Sequence, residues 1–523
     1  MLFKNLLKLL RGDNSPVIMV RLTRSEKWRI AGFKFAGKMI GLFIVLAIIC
    51  FLPSILGGVT AHAQDKYTAH ETTFMNTANT IWTLVAAFLV FGMQPGFTFL
   101  EAGFARKRES VNILMECVFD TCICGILFWA IGYAFMFGQG NGFIGWGGGA
   151  LAGGESKNWF FLLNTPETYA ATGVPVLAHW IFQFAFADTT STVTSGAMIG
   201  RTSFRGDILY SIGVTGFIYP IIGHWAWGPD GFLALMGTEG HLLPSLGTGF
   251  RDFAGSTVVH TIGGMVSLAG AIVLGPRLGR VFKRDGGGMP PAHNLNLAVV
   301  GGFILWFGWY GFNPGSTLSA IDMQGIGRVA ANTTLAACAG GMAAMYAALW
   351  AGKSKKFDVG YTTNGFLAGL VAITCPCYWV SPFGAVVLGA VAGIVVYFST
   401  TLLEWLRIDD PIGAVPVHGF CGIWGTWSLG LFACGKYGAT GPTGADNSSP
   451  VTGLFYGGGT QILKAQIFGS LTITIATFVI AMILMLLIKQ LPYPWKLRVA
   501  EEGETNPGGL DMYEHGVEAY SME

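Results

Sequence analysis

Charge is what this 523-residue chain has least of: only 11% of its residues are Asp, Glu, Lys or Arg, against about a quarter in an ordinary soluble domain. So little charge cannot cover a water-facing surface, and with 52% hydrophobic residues the chain is expected to be an integral membrane protein. Lys and Arg number 31 and Asp and Glu 29, so there is no basic excess of the kind that holds nucleic acid. The nine cysteines include Cys122-x-Cys124 and Cys375-x-Cys377, but they lie in apolar stretches without the flanking ligands of a zinc or iron–sulfur site. They read as small buried hydrophobes, and no cofactor is expected.

Glycine, by contrast, is abundant, at 76 residues, roughly twice the usual frequency; in membrane helices it lets backbones approach closely. Residues 1–38 carry nine Lys or Arg and precede an apolar run from Met39 to about Val59 that ends in Ala61-His62-Ala63. This pattern predicts a signal peptide or an N-terminal anchor over 1–63, followed by an external segment over 64–79. From about Thr80, apolar stretches long enough for helices of ~20 residues fall at 80–103, 112–137, 172–199, 207–227, 254–275, 294–313, 327–352, 361–378, 383–406, 413–434 and 462–490. Every second connection then collects the cations: Arg106, Lys107 and Arg108; Arg201 and Arg205; Arg277, Arg280, Lys283 and Arg284; Lys353, Lys355 and Lys356; and Arg407. The others hold only Lys157, Arg251, Lys436 and the border residues Arg328 and Lys464. Positive charge marks the cytoplasmic side. The expected fold is therefore an all-α polytopic membrane protein of eleven transmembrane helices, mature N-terminus outside, with the domain over 80–490 and a cytoplasmic tail over 491–523.

One motif occurs twice. Asp252-Phe-Ala-Gly-Ser-Thr-Val-Val-His260 and Asp410-Pro-Ile-Gly-Ala-Val-Pro-Val-His418 both place an acid eight residues before a histidine and end in Val-His. In the predicted topology the first helix runs inward and the second outward, so the repeat is inverted. Gly92-Met-Gln-Pro-Gly96 and Gly311-Phe-Asn-Pro-Gly315 form a second such pair, which predicts two inverted five-helix repeats plus a final helix around a shared site at mid-membrane. Eight residues at 1.5 Å each set either histidine ~12 Å below its helix start. In a hydrocarbon core of ~30 Å, approaches from opposite faces bring the imidazoles to nearly one depth. Ionisable groups inside a membrane are costly and usually mark a pathway; paired neutral imidazoles offer donors and acceptors to a small polar molecule or a proton. A haem or metal pair is the competing use, but no further ligand cluster completes a coordination shell. Asp252 and Asp410 also suit helix N-caps, and Asp252 could in addition give a vestibule its charge.

Trp227, Phe182, Phe186, Trp309 and Phe312 all approach the face that holds Asp252. Ring faces attract small cations stripped of water, and the hydroxyl of Ser316 nearby could accept an N–H hydrogen bond. Such a cup above two histidines suits a small, monovalent cation that donates hydrogen bonds.

Five stretches together resemble the Amt/Mep/Rh ammonium transporters, on the Amt side: Phe99-Leu-Glu-Ala-Gly-Phe-Ala-Arg106, the Asp252–His260 motif, Gly308-Trp-Tyr-Gly-Phe-Asn-Pro-Gly-Ser316, Asp409-Asp-Pro411 with Val417-His-Gly-Phe-Cys-Gly422, and Gly509-Leu-Asp-Met-Tyr-Glu-His-Gly516. The likeness spans roughly Thr80 to Tyr520. It implies an eleven-helix homotrimer with one pore per protomer, in the inner or sole plasma membrane, passing ammonium nitrogen inward. Phe182, Trp227 and Ser316 match the family's outer ammonium site and Asp252 the carboxylate that supports it. Phe186 and Phe312 match the phenyl gate, His260 and His418 the twin histidines, and Trp309 a pore-lining tryptophan. A PII-type signal protein on the cytoplasmic face and a tail that couples subunits are further implications, with membrane lipid the remaining partner. Two departures stand out: the long N-terminal extension, and Ile199-Gly200-Arg201 where the family has Ala-Glu-Arg, which removes an acid from the cytoplasmic face. The reading is a transporter, not an enzyme. The alternatives are an ammonium sensor that signals through its tail and a histidine-ligated haem or metal membrane protein.

Overall fold

The computed structural model describes residues 69–520, apart from 150–151, 153, 155–157, 163–166, 170–171, 239–240, 247–248, 353–354 and 439–449. The expected leader or anchor at 1–63 and the start of the external segment lie outside the described residues.

The described chain is mostly helical, with almost no sheet. Helix α1 (Ala69–Phe91) passes Gly92 into α2 (Met93–Phe104), where Pro95 has no amide to give the preceding turn. Next, α3 (Ser110–Leu127) continues through a π turn into Tyr133–Phe137. Helix α4 spans Val176–Gly196, and α5 (Phe204–Gly213) runs through a π turn to end at Trp227. Helix α6 opens on a π turn (Ser256–Thr261) and continues as Ile262–Leu274. After α7 (Leu295–Phe312), α8 (Met323–Ala351), α9 (Val359–Thr374) and α10 (Pro382–Leu406), α11 repeats the plan of α6: a π turn (Val415–Phe420), then Cys421–Phe432. Helix α12 is Gln461–Lys489. Two small hairpins, Gln139–Asn141 with Ile144–Gly147 and Thr168–Tyr169 with Val174–Pro175, lie between α3 and α4.

Among the described residues eight helical stretches are long and apolar enough to cross a membrane. The expected spans at 172–199, 361–378 and 413–434 are helical as α4, α9 and α11 but fall outside that set. Helix α9 has 16 residues, α4 carries Asp188 within a run of threonines and serines, and α11 mixes Pro416, His418 and glycines into its apolar run. Two boundaries also differ from expectation. Helix α1 begins at Ala69 rather than Thr80, in a polar stretch where the hydroxyls of Thr77 and Thr80 donate back to Thr73 O and Asn76 O at 2.9 and 2.7 Å. Helix α9 stops at Thr374, and the segment through Pro376 turns tightly, with Trp379 N donating to Pro376 O at 3.0 Å.

Side-chain caps start several of these helices. Ser203, Asn294, Asp322, Asp358 and Ser381 each accept an amide of the first turn, which satisfies groups that would otherwise be stranded. The glycines permit close crossings, as composition predicted. A Cβ on Gly389 would stand 2.3 Å from Ala336 O, and one on Gly393 2.2 Å from Gly340 O, so α8 and α10 pack backbone against backbone. Of the described cysteines six are buried, but Cys122 and Cys338 are exposed, so the buried-hydrophobe reading fails for those two.

After α12 the chain returns to one end of the bundle. Val499 N donates to Arg201 O at 3.0 Å, and Arg498 Nη1 to Leu274 O at 2.8 Å. At this tail end the buried carboxylate of Asp409 takes Arg277 through Nε and Nη2 at 2.8 and 2.9 Å. Burial alone would push the Asp409 carboxyl up; Arg277 and Arg201 outweigh it and hold it well below the usual range. Gly200 has φ +81°, and a Cβ there would stand 2.4 Å from Glu109 Oε1. The place beside Gly200 thus holds an acid brought by another element.

Candidate functional site: two histidines beneath a stack of rings

Each histidine is placed by the same local device. The Asp252 carboxylate accepts the amides of Gly255, Ser256, Thr257 and Val258 at 2.8–3.0 Å, and that of Asp410 accepts Gly413, Ala414 and Val415 at 2.8–3.1 Å. Both turns need a glycine three residues on, at φ +111° for Gly255 and +83° for Gly413, a backbone state that a side chain would strain. Both then enter a π turn that contains the histidine, a local form common at functional positions.

The two helices cross with their chains opposed. A Cβ on Gly264 would lie 2.3 Å from Gly419 N, and one on Gly422 2.4 Å from Ser256 O. Thr257 and Thr426 share a hydroxyl hydrogen bond at 2.6 Å. The early Ser256 and Thr257 on α6 meet Gly422 and Thr426 on α11, and the later His260 and Gly264 meet His418 and Gly419, the antiparallel order. Between them His260 Nδ1 and His418 Nδ1 stand 3.1 Å apart, with His260 wholly buried and His418 only 7% exposed.

Rings cover His260 from one side. Trp309 and Phe312 stack on it with centroids at 5.2 and 5.3 Å. Phe186 stacks on Phe312 at 4.0 Å, Phe182 lies 4.7 Å from Phe186, and Trp227 meets Phe186 edge-on at 6.1 Å. Trp227 and Ser316 are the half-exposed members, so the stack opens at the end opposite the tail. Trp227 Nε1 donates to the backbone oxygen of Asp252 at 2.7 Å, and Ser316 Oγ to Phe312 O at 2.7 Å. All nine residues singled out in the sequence therefore fall in one connected set. Asp252 is 1% exposed and its oxygens serve amides, so it acts as cap and as the mooring of Trp227 rather than as an open vestibule charge.

Pattern reading missed Thr374, whose hydroxyl accepts Trp309 Nε1 at 3.0 Å and so sets the ring over His260. A threonine in an apolar run gives no signal of this. Nothing in the sequence marked Gly264 either, although the crossing depends on it.

The chemistry follows from the Nδ1–Nδ1 contact. One nitrogen must donate and the other accept, so the pair shares one proton there and its two Nε2 atoms differ: one bears hydrogen and the other a lone pair. The pair thus presents one donor and one acceptor to a passing guest. His260 Nε2 is buried without a hydrogen-bond partner, a costly state for a polar atom, which a guest able to donate or accept would relieve. Among the described residues no group of three His, Cys, Asp or Glu side chains could hold a metal ion.

A family model described as the ammonium transporter family matches residues 81–520. The chain is 41% identical over 445 residues to Ammonium transporter Amt2 of Archaeoglobus fulgidus, covering 84% of this chain and 87% of that one. It is 38% identical over 489 residues to a putative ammonium transporter of Synechocystis, covering 92% and 97%. Among solved structures it resembles a sensor Amt protein (TM-score 0.70, 33% identity, 85% of this chain and 99% of that chain) and Mep2 of Saccharomyces cerevisiae (0.72, 27%, 86% and 94%).

Proposed function

The chain belongs to the ammonium transporter family, and we propose that it draws ammonium into the cup of Trp227, Phe182 and Ser316 and conducts its nitrogen inward past Phe186, Phe312 and the His260–His418 pair. The observation that carries this reading is the 3.1 Å imidazole contact at the foot of an unbroken ring stack. Ammonium transport is what its relatives are named for, and those relatives are transporters rather than enzymes.

Physical chemistry supports each stage. At the mouth, ring faces recompense a cation for lost water by ~0.5–2 kcal/mol each, and Ser316 adds an acceptor. Below, stacked phenyl rings leave no room for a hydration shell. A potassium ion can neither donate hydrogen bonds nor shed a proton, whereas ammonium can do both and enter the histidine segment as ammonia. Trp309 walls that segment and Thr374 holds it in place.

On this reading α1 with α2 and the ten helices after them cross the membrane as eleven spans, the first five and the next five inverted copies. The mouth faces outward, the tail lies in the cytoplasm, and the protein sits in the inner (plasma) membrane. A homotrimer and a PII-type partner at the tail end belong to the same proposal. The sensor reading rests on the likeness to a sensor Amt protein and keeps the same site.

The test is an ammonium pulse on proteoliposomes, with potassium as challenge ion and the double variant His260→Ala/His418→Ala as control. Ammonium-selective uptake that changes in the variant supports transport through this site. Binding without uptake leaves a sensor, and a visible absorption band or stoichiometric metal would point to the haem or metal alternative.

A further inference from the structure

Helix α12 shows an apolar face to its surroundings, with Ile475, Val479, Ile483 and Leu487 all exposed. Its buried stripe carries three polar side chains, Gln466, Ser470 and Thr477. The hydroxyls of Ser470 and Thr477 have no hydrogen-bond partner, whereas both ends of the Gln466 amide are engaged. Its Oε1 accepts Arg251 N at 2.8 Å, and its Nε2 donates to Arg251 O at 2.6 Å, to Thr426 O at 3.3 Å and to Cys375 Sγ at 3.7 Å. One side chain thus meets both backbone groups of a single residue, as a neighbouring strand would, and that residue immediately precedes Asp252.

The segment from Phe250 to Ala254 is held residue by residue. Phe250 lies against Gly469 of α12, where a Cβ would stand 2.2 Å from its ring. Arg251 is held by Gln466, one turn away on the same helix. Asp252 caps α6, and its backbone oxygen accepts Trp227 Nε1 at 2.7 Å. Phe253 N and Ala254 N donate to Cys375 O and Thr374 O at 3.4 and 3.2 Å. Arg251 is buried, and a backbone group left without a partner in such a place is costly. Gln466 therefore satisfies the one residue of the segment that α6 and α9 leave to another element. At its other end α12 grips α6 again, with Lys489 Nζ donating to Val273 O at 2.9 Å.

We propose that Gln466 is a positioning residue for ammonium recruitment: by fixing Arg251 it sets the backbone oxygen of Asp252, and through that oxygen the placement of the Trp227 ring in the cup. This rests on the ammonium-transport reading. Glutamine suits the task because one planar amide carries a donor and an acceptor side by side, matched to a backbone C=O and N–H. Methionine has a similar length and offers no such pair. The hydrogen bonds of Gln466 run to the start of α6, to α11 and to the end of α9, not to the ring stack or the histidines. Its loss should therefore weaken capture of the cation and spare the steps that follow.

The test compares the full chain in proteoliposomes with Gln466→Met, Trp227→Leu, the double variant and Lys489→Met. Uptake against ammonium concentration gives the half-saturating concentration and the maximal rate, and calorimetric titration of the purified protein with ammonium chloride reads affinity without transport. Elution and melting profiles control for folding, and Gln466→Asn, which keeps the amide one methylene short, replaces Gln466→Met if that variant does not fold. The expected result for Gln466→Met is a half-saturating concentration raised ~2- to 30-fold, the worth of one ring face, with the maximal rate near wild type. The double variant should bind no more weakly than Trp227→Leu alone, because both losses run through one ring, and Lys489→Met should keep wild-type affinity. Unchanged affinity in the folded Gln466 variant would overturn the proposal. So would effects that multiply in the double variant, a fall in maximal rate equal to the fall in affinity, or an equal loss of affinity in Lys489→Met. Wild-type binding without uptake would defeat the transport reading, and the titration would still decide the role of Gln466; no binding by the wild type would defeat both.

Discussion

Helices α6 and α11 are built alike and finished differently. Both open with an aspartate cap, a left-handed glycine three residues on and a π turn that holds the histidine. Yet the cap of α6 also moors Trp227 through its backbone oxygen, while that of α11 adjoins Asp409, locked to Arg277 and Arg280. His260 lies under Trp309 and Phe312, whereas among the described residues His418 has only His260 as a ring contact. One device thus delivers an imidazole from either end, and its surroundings make the two ends differ. Rings crowd the end that holds Trp227, and ion pairs fix the helix start at the tail.

Breaking the shared device should cost most. His260→Ala or His418→Ala leaves the partner imidazole buried with an unpaired nitrogen, a penalty of about 1–3 kcal/mol, so ammonium flux should change by roughly tenfold to a hundredfold in either. Only His260→Ala should also lower the melting temperature markedly, because it opens space beneath two rings; equal melting shifts would remove the asymmetry. Next, Gly264→Ala drives a methyl into the Gly419 backbone and should destabilise by about 1–3 kcal/mol, read as a lower denaturation midpoint. Cap removal comes third. Asp252→Ala strands four amides and Asp410→Ala three; caps are worth ~0.5–2 kcal/mol, with Asp252 at the upper end and, alone of the two, weakening apparent ammonium affinity through Trp227. Trp227→Leu should lower that affinity by the loss of ~0.5–2 kcal/mol of ring attraction and leave the maximal rate near wild type, so unaltered affinity would count against the cup. The smallest effect is expected at the exposed Arg407–Asp285 pair, where water screens the charges: Arg407→Ala should leave flux and melting unchanged.

The two helices also show what could be read from the sequence. The acid-to-histidine spacing marked both caps and the two imidazoles that meet, because a cap fixes where a helix begins and a shared spacing carries each histidine the same number of residues beyond it. The five aromatic positions gathered because Trp227, Trp309 and Phe312 lie at helix ends while Phe182 and Phe186 stand between the start and the middle of α4, beside those ends. What the pattern could not give was orientation within a position. Asp252 as a cap and Asp252 as a vestibule charge occupy the same residue, and only the amides around it decide between them. Helix α1 began early because Thr77 and Thr80 bond back to the chain in a polar stretch that apolar periodicity cannot register.

The most direct test of the central claim is ammonium uptake into proteoliposomes by the wild type, by His260→Ala/His418→Ala and by Thr374→Val, with potassium present. If the opposed helices meet to form the path, wild-type uptake is selective for ammonium, the double variant changes rate or selectivity strongly, and Thr374→Val, which frees Trp309 over His260, falls between. Wild-type rate and selectivity in the folded double variant would contradict it and leave the histidine pair as packing.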